Sequence, residues 1–244
     1  MCFVVWVCLP PKRRQNNVPK YGNPDMGITA ENVLDVHPVS REKMDTFAYE
    51  SHQKALKAIA DGKFKEQILP ITIKKKGKEV VLDTDECPRP ETNMEQLAKL
   101  KPIFKKDGSV TAGNSCPMND GAAAVIMMSS EKAEKMGLKP LLKVKGFASV
   151  GLDPHVMGFG PIGAVQKLLK KTGITMDEVE LVELNEAFAS QSVGCIEELG
   201  LDPAIVNPND RKVTAYILGI GHNLQEHWVR RSPVSAMRWR SRRG

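Results

Sequence analysis

Val179-Glu180-Leu181-Val182-Glu183-Leu184-Asn185-Glu186-Ala187-Phe188-Ala189-Ser190-Gln191 carries the clearest structural signal in the chain. Val179 to Leu184 alternates apolar with acidic residues and reads as a buried strand. Ala187 to Leu199 then takes up helical spacing, with Phe188, Gln191, Cys195 and Leu199 on related faces. Asn185 and Glu186 therefore sit at a strand-to-helix junction. In α/β proteins such junctions commonly hold a ligand or a catalytic group, because backbone donors and side chains converge there. The competing reading is that Asn185 merely caps the helix.

Working outward, strand and helix alternate on both sides of this junction. A helix is expected from near Ser40, where Ser40-Arg41-Glu42-Lys43 introduces Met44, Phe47, Ala48, His52, Ala55, Leu56 and Ile59 at spacings of three and four; Gly62 stops it. Ile68 to Thr72 and Glu79 to Leu82 flank Lys74-Lys75-Lys76-Gly77-Lys78 and predict a hairpin with a basic tip, read as a solvated loop rather than a partner patch. Glu91 to Lys99 reads as a short helix. Val125 to Met128 reads as a strand buried on both faces, Glu131 to Met136 as a short helix, and Leu141 to Val150 as a strand. Pro161 to Lys171 is an amphipathic helix capped by Gly173. The fold class expected is α/β, with a largely parallel or mixed sheet.

Composition narrows the functional classes. The 244 residues can bury a sizeable core, and 26% charged with 41% hydrophobic residues is a globular balance. The net charge of +6 is local: Asn207 to Gly244 holds eight basic residues against Asp210 and Glu226, so the remainder is neutral. That arginine-rich tail lacks the interleaved stacking platform and ordered fold that such sites use, and nucleic acid is not the expected partner. Five cysteines (Cys2, Cys8, Cys87, Cys116, Cys195) form no CxxC pair and have no metal-like spacing to histidine, so reduced thiols and no metal are expected. The apolar run Cys2 to Leu9 is too short to cross a bilayer, and its positive charges follow it rather than precede it. A cytoplasmic location and no membrane partner are the expectation.

Five stretches in order carry a family resemblance: Met26-Gly27-Ile28-Thr29-Ala30-Glu31-Asn32-Val33, Thr111-Ala112-Gly113-Asn114, Asn119-Asp120-Gly121-Ala122-Ala123-Ala124, Val156-Met157-Gly158-Phe159-Gly160-Pro161 and Asn185-Glu186-Ala187-Phe188. Together they closely resemble the thiolases, the acyl-CoA acetyltransferases and 3-ketoacyl-CoA thiolases. The resemblance implies a partial thiolase-like layered α-β-α sandwich with a loop domain that covers CoA. It divides the chain into an unmatched, poorly specified lead-in (1–25), a loop-domain-like region (26–118), a region like the family's C-terminal half (119–209) and a divergent Arg-rich tail (210–244).

The resemblance also assigns roles. Asn185 matches an asparagine that holds a water and helps form an oxyanion hole for the thioester oxygen, and Glu186 matches its neighbouring carboxylate. Phe104, Met157 and Phe188 match apolar residues lining the acyl-pantetheine channel. Arg89 matches a basic residue near the CoA nucleotide, where a guanidinium suits phosphate. Ala112 lies in a substrate-binding motif, and Cys116 stands where many members have a serine that hydrogen-bonds pantetheine. Acyl-CoA or CoA is then a substrate, with no further cofactor, and a homo-oligomer is implied.

Two departures limit the carry-over. His222 follows a glycine, as the family's catalytic histidine does, but lies later than that motif and lacks its proline. The family's nucleophilic cysteine has no counterpart, and no cysteine follows Cys195 to act as second acid/base. The expected function is thiolytic cleavage or Claisen condensation of 3-ketoacyl-CoA in an incomplete, weakly active or inactive form. The alternative is a non-catalytic CoA-binding or subunit-association module.

Overall fold

A computed structural model describes residues 25–117 and 126–208, together with the backbone of 2–7 and 216–222. In chain order the elements are β1 (Cys2–Val7), α1 (Met26–Val36), α2 (Arg41–Ala60), β2 (Ile71–Lys75), β3 (Lys78–Leu82), α3 (Met94–Ala98), α4 (Ser130–Lys135), β4 (Val144–Ala148), α5 (Gly160–Thr172), β5 (Val179–Leu184), α6 (Ala189–Glu198) and β6 (Tyr216–His222). A 3-10 turn, Pro154–Phe159, precedes α5.

Local chemistry sets most boundaries. The Ser40 side chain accepts the Lys43 N–H at 3.2 Å, which starts α2, and the helix ends just before Gly62. β2 and β3 pair antiparallel, with Ile71 opposite Leu82 and Lys75 opposite Lys78. Lys76 (φ 51) and Gly77 (φ 79) make the turn, both in the left-handed region that a two-residue hairpin needs. The first strand begins at Ile71 rather than Ile68; Pro70, without an N–H, stands immediately before it. α3 likewise starts late, at Met94, because Asn93 accepts the Gln96 N–H at 2.9 Å and so caps it. α5 closes on Gly173 at φ 73, a conformation that costs a glycine nothing.

β4, β1, β6 and β5 lie side by side in that order, all parallel. The expected α/β arrangement is therefore present. β1 is an inner strand, with Val5 paired to both Ala148 and Ile220, so residues 2–7 of the expected lead-in form a regular strand, while residues 8–24 lie outside the described residues. A continuous apolar run suits a parallel strand with neighbours on both sides. Its partners lie far along the chain, so no local pattern announces the pairing.

The expected strand from Val125 to Met128 is not observed where the structure describes it. Residues 126–129 are irregular, and Ile126 and Met127 are 69% and 72% exposed. A strand buried on two faces needs covering layers, and none lies over these residues among those described. Val125 lies outside the described residues, as do 118–124, 209–215 and 223–244, and with them most of the Arg-rich tail.

The core forms around α5, β5 and α6. Ala164, Val165 and Leu168 cluster with Val182, Leu184, Cys195 and Ile196, and each buried aliphatic side chain contributes roughly 1.5–3 kcal/mol. On the other side of α6, Val39, Met44, Ala189 and Val193 form a second cluster under α2. Residues 189–196 are consequently all buried, and α6 has almost no solvent face. Its polar residues are bonded internally: Ser190 Oγ donates to Ala30 O at 2.8 Å, and Ser192 Oγ to Gln191 Oε1 at 3.3 Å.

Candidate functional site

β5 delivers the junction. The strand ends at Leu184, and Asn185 to Phe188 crosses to α6 without regular structure. Phe188 is the N-cap residue, extended at φ −144, and no side chain caps this helix. Asn185 is therefore not a helix cap. It is 6% exposed, held inside the junction.

The 111–117 segment lies against this junction. Cys116 N–H donates to Ala187 O at 3.0 Å, Ala189 N–H donates to Asn114 O at 2.9 Å, and Ser115 bridges Phe188 antiparallel. Two buried carboxylates hold the segment in turn. Glu31 accepts the Ser109 and Val110 N–H groups at 3.0 and 2.9 Å. Asp45 accepts Asn114 Nδ2 at 2.9 Å and Arg41 Nε at 2.7 Å, while Asn114 Oδ1 takes the Thr111 N–H at 2.8 Å. Ionised carboxylates are acceptor-only groups, so each suits a set of backbone and guanidinium donors.

Glu186 is held from two directions. Ser51 Oγ on α2 donates to Oε2 at 2.5 Å, and Asn207 Nδ2 donates to Oε1 at 2.7 Å. Neither donor was singled out from the sequence. Ser51 lies within a helix whose apolar spacing dominates the reading. Asn207 marked only the start of the basic C-terminal stretch.

An open cavity of about 1070 Å³ lies beside this junction. Its walls are the hairpin (Ile71, Ile73, Leu82), the Thr84–Arg89 segment, Ser51 and His52 of α2, Ala112 to Pro117, and Glu186. Four expected site residues, Arg89, Ala112, Cys116 and Glu186, thus face one space. Arg89 is exposed, and its N–H donates to His52 Nδ1 at 3.4 Å.

The other expected residues stand apart from that space. Phe104 and Phe188 pack edge to face with centroids 6.2 Å apart, and Phe104 lies so close over Gly27 that a Cβ there would meet its ring at 2.2 Å. Met157 is buried in the 3-10 turn against the α1 side of the fold. The His222 backbone ends β6, paired with Val7, while its side chain lies outside the described residues.

The thiols near the junction are poor nucleophiles. Burial pushes the half-buried Cys116 thiol up. Cys195, fully buried, is pushed up to about 12, mainly by burial and against a hydrogen bond from Gln191. A reactive cysteine needs a depressed value and some access, and neither has both.

The family model "Thiolase, N-terminal domain" matches residues 15–131, and "Thiolase, C-terminal domain" matches 138–233. An acetyl-CoA acetyltransferase of Syntrophomonas wolfei is 50% identical over 81% of this chain and 49% of its own length. A beta-ketoadipyl-CoA thiolase of Acinetobacter baylyi is 45% identical over 90% of this chain and 53% of its own. Among solved structures, the acetyl-CoA acetyltransferase of Bacillus anthracis superposes with a TM-score of 0.75 at 48% identity, over 78% of this chain and 48% of that one. Human mitochondrial 3-ketoacyl-CoA thiolase gives 0.68 at 40% identity, over 75% of this chain and 47% of that one. The chain thus spans about half the length of these relatives. Matched along most of its length by the two thiolase domain models, and sharing the fold of solved members, the chain belongs to the thiolase family.

Proposed function

We propose that the chain supplies the CoA-thioester pocket of a thiolase-type acyltransferase, a protein that cleaves or condenses 3-ketoacyl-CoA in acyl-CoA and fatty-acid metabolism. The observation that carries this reading is the shared cavity of Arg89, Ala112, Cys116 and Glu186. An exposed guanidinium at one end suits the nucleotide phosphates, and the apolar hairpin wall suits pantetheine. Asn185 is the oxyanion donor in this reading, Glu186 orients it, and Phe104, Phe188 and Met157, which stand outside the cavity, back the junction with apolar packing. His222 is the candidate base. CoA enters as substrate, with no separate cofactor, and the setting is cytoplasmic. Calorimetric titration with CoA tests the reading: binding that Arg89→Ala weakens supports it, and no binding, or binding unchanged in that variant, overturns it.

A second reading is a CoA-binding or subunit-association module with little turnover of its own. Thiolysis needs a thiolate to accept the acyl group and a base to prepare it, and both thiols beside the junction are pushed toward the protonated form. Exposed Leu69, Ile71 and Val81 on the hairpin side favour association with a second copy. Acetoacetyl-CoA cleavage by the purified chain that disappears in Asn185→Ala decides for the catalytic reading. Binding without cleavage decides for the module.

A further inference from the structure

Asn207 follows Val206, whose bridge to Val182 extends the β5 edge, and it adopts φ 50 with only 5% exposure. Asparagine tolerates this left-handed conformation better than most residues. Its N–H donates to Val182 O at 2.8 Å. Its side chain turns back on the strand end: Oδ1 accepts the Leu184 N–H at 2.7 Å, and Nδ2 donates to Leu184 O at 3.0 Å. The remaining Nδ2 hydrogen goes to Glu186 Oε1 at 2.7 Å. A primary amide has two hydrogens, and both are committed here.

These bonds do different things. The two to Leu184 continue a ladder and would serve any strand end. The third reaches past the strand to a carboxylate on the cavity wall, whose other oxygen is held by Ser51. A carboxylate gripped at both oxygens by neutral donors from separate segments has one orientation.

We infer that Asn207 is a positioning residue, which sets the Glu186 carboxylate and through it the Asn185-Glu186 junction at the cavity wall. The inference rests on the CoA-thioester reading for what the cavity takes up. The clamp itself needs no ligand to be tested.

The test uses the full chain with Asn207→Asp, Glu186→Gln, the two combined, and Asn207→Gly. Aspartate keeps the acceptor for Leu184 N–H but sets a second carboxylate against Glu186. Acetoacetyl-CoA, followed by calorimetry, is expected to bind about tenfold or more weakly to Asn207→Asp, the loss of one charge-assisted bond. Adding Glu186→Gln returns a donor to the pair, and affinity is expected to recover to within about threefold of the parent chain. A loss that the second substitution leaves in place makes Asn207 merely structural and overturns the inference, as does unchanged binding in Asn207→Asp.

If the parent chain takes up no acetoacetyl-CoA, the CoA reading fails and nuclear magnetic resonance decides the clamp. Of the two Asn207 side-chain amide protons, the one directed at Glu186 is expected to move in Glu186→Gln while the one directed at Leu184 O stays. Neither proton moving overturns the inference. Should Asn207→Asp not fold, Asn207→Gly accepts the same backbone conformation and is measured alone and combined with Glu186→Gln: a loss of about tenfold that adds nothing to the loss in Glu186→Gln supports the inference, and an affinity equal to the parent chain's, or losses that simply add, overturns it.

Discussion

Ser51 Oγ donates to Glu186 Oε2 at 2.5 Å, tying the middle of α2 to the residue just past the end of β5. This bond links the helix layer to the junction across a separation of 135 residues. Ser51→Ala removes the donor and leaves a half-buried carboxylate with one grip fewer. The expected cost is about 1–3 kcal/mol of unfolding free energy, read from urea denaturation. A loss within 0.3 kcal/mol, roughly the scatter of independent effects, would mean that water replaces the hydroxyl at no cost.

Asp45 is the keystone of the buried network under the 109–116 segment. It holds Arg41, whose Nη2 also donates to Leu97 O and Leu100 O at 2.6 and 3.1 Å, and it holds Asn114. Asp45→Ala takes one acceptor from Asn114 Nδ2, which keeps Ser109 O at 3.2 Å, and the carboxylate from Arg41, which keeps its two carbonyl acceptors. Losing this buried acceptor costs about 1–3 kcal/mol, so the variant is expected to melt well below the parent chain in a thermal melt. Arg41→Lys retains the charge but not the fork, and is expected to melt between the parent chain and Asp45→Ala.

His37 joins the C-terminal ends of α1 and α6. Its Nε2 lies 2.6 Å from Glu197 Oε2 and its Nδ1 lies 2.8 Å from Glu198 Oε1, and Lys43 also pairs with Glu197. The hydrogen bond to Glu197 raises the His37 pKa above its ordinary value of about 6.5, aided by Glu198 and opposed by burial. The stabilisation is therefore complete below about pH 6.5 and fades as pH rises through the raised value. Glu197 is held below the usual carboxylate range, first by Lys43 and then by His37, so its share appears above about pH 4.5 and is lost as pH falls through the depressed value. The cluster is partly exposed, and its whole effect is under about 1 kcal/mol. His37→Gln is expected to flatten the stability profile between pH 6 and 8 by about that amount; a profile that keeps its slope would assign it to another group.

Gly194 of α6 allows Phe159 to approach: a Cβ there would stand 2.7 Å from the ring. Gly194→Ala gains helix propensity but overpacks a core in which Phe159 is buried, with a net loss of about 1–3 kcal/mol expected in chemical denaturation. Adding Phe159→Leu should restore part of it.

Cys195 should resist alkylation. Buried and pushed up to about 12, it is expected to remain unlabelled by iodoacetamide in the folded chain while Cys87 and Cys116, both on the cavity wall, react first. Peptide mapping by mass spectrometry checks the order. Labelling of Cys195 ahead of the other two would require local opening of α6.

Much of this was legible from the residues alone. Ser40, Ser129 and Gly173 mark helix ends through bonds and dihedral preferences that involve only near neighbours. The β2–β3 hairpin follows from Lys76-Gly77 between β-branched runs, and β5 with α6 from a change of apolar period at Leu184. The motifs from Met26 to Phe188 carried the family. All these signals are local, and local chemistry enforces them wherever the segment lies.

Other features depended on contacts between distant segments. β1 became an inner strand because parallel pairing recruits partners regardless of sequence distance, whereas Ile126 to Met128, equally apolar, found no cover and remained exposed. Asn185 ceased to be a possible cap once Phe188 occupied that position. Ser51 and Asn207 grip Glu186 from opposite sides because the packing of α2 and the β5 edge brings them there. The sequence by itself determined the helices, the hairpin and β5, the family and the identity of the junction. The tertiary structure alone decided which residues hold that junction, because hydrogen-bond partners are set by proximity in space, and spacing along the chain does not encode it.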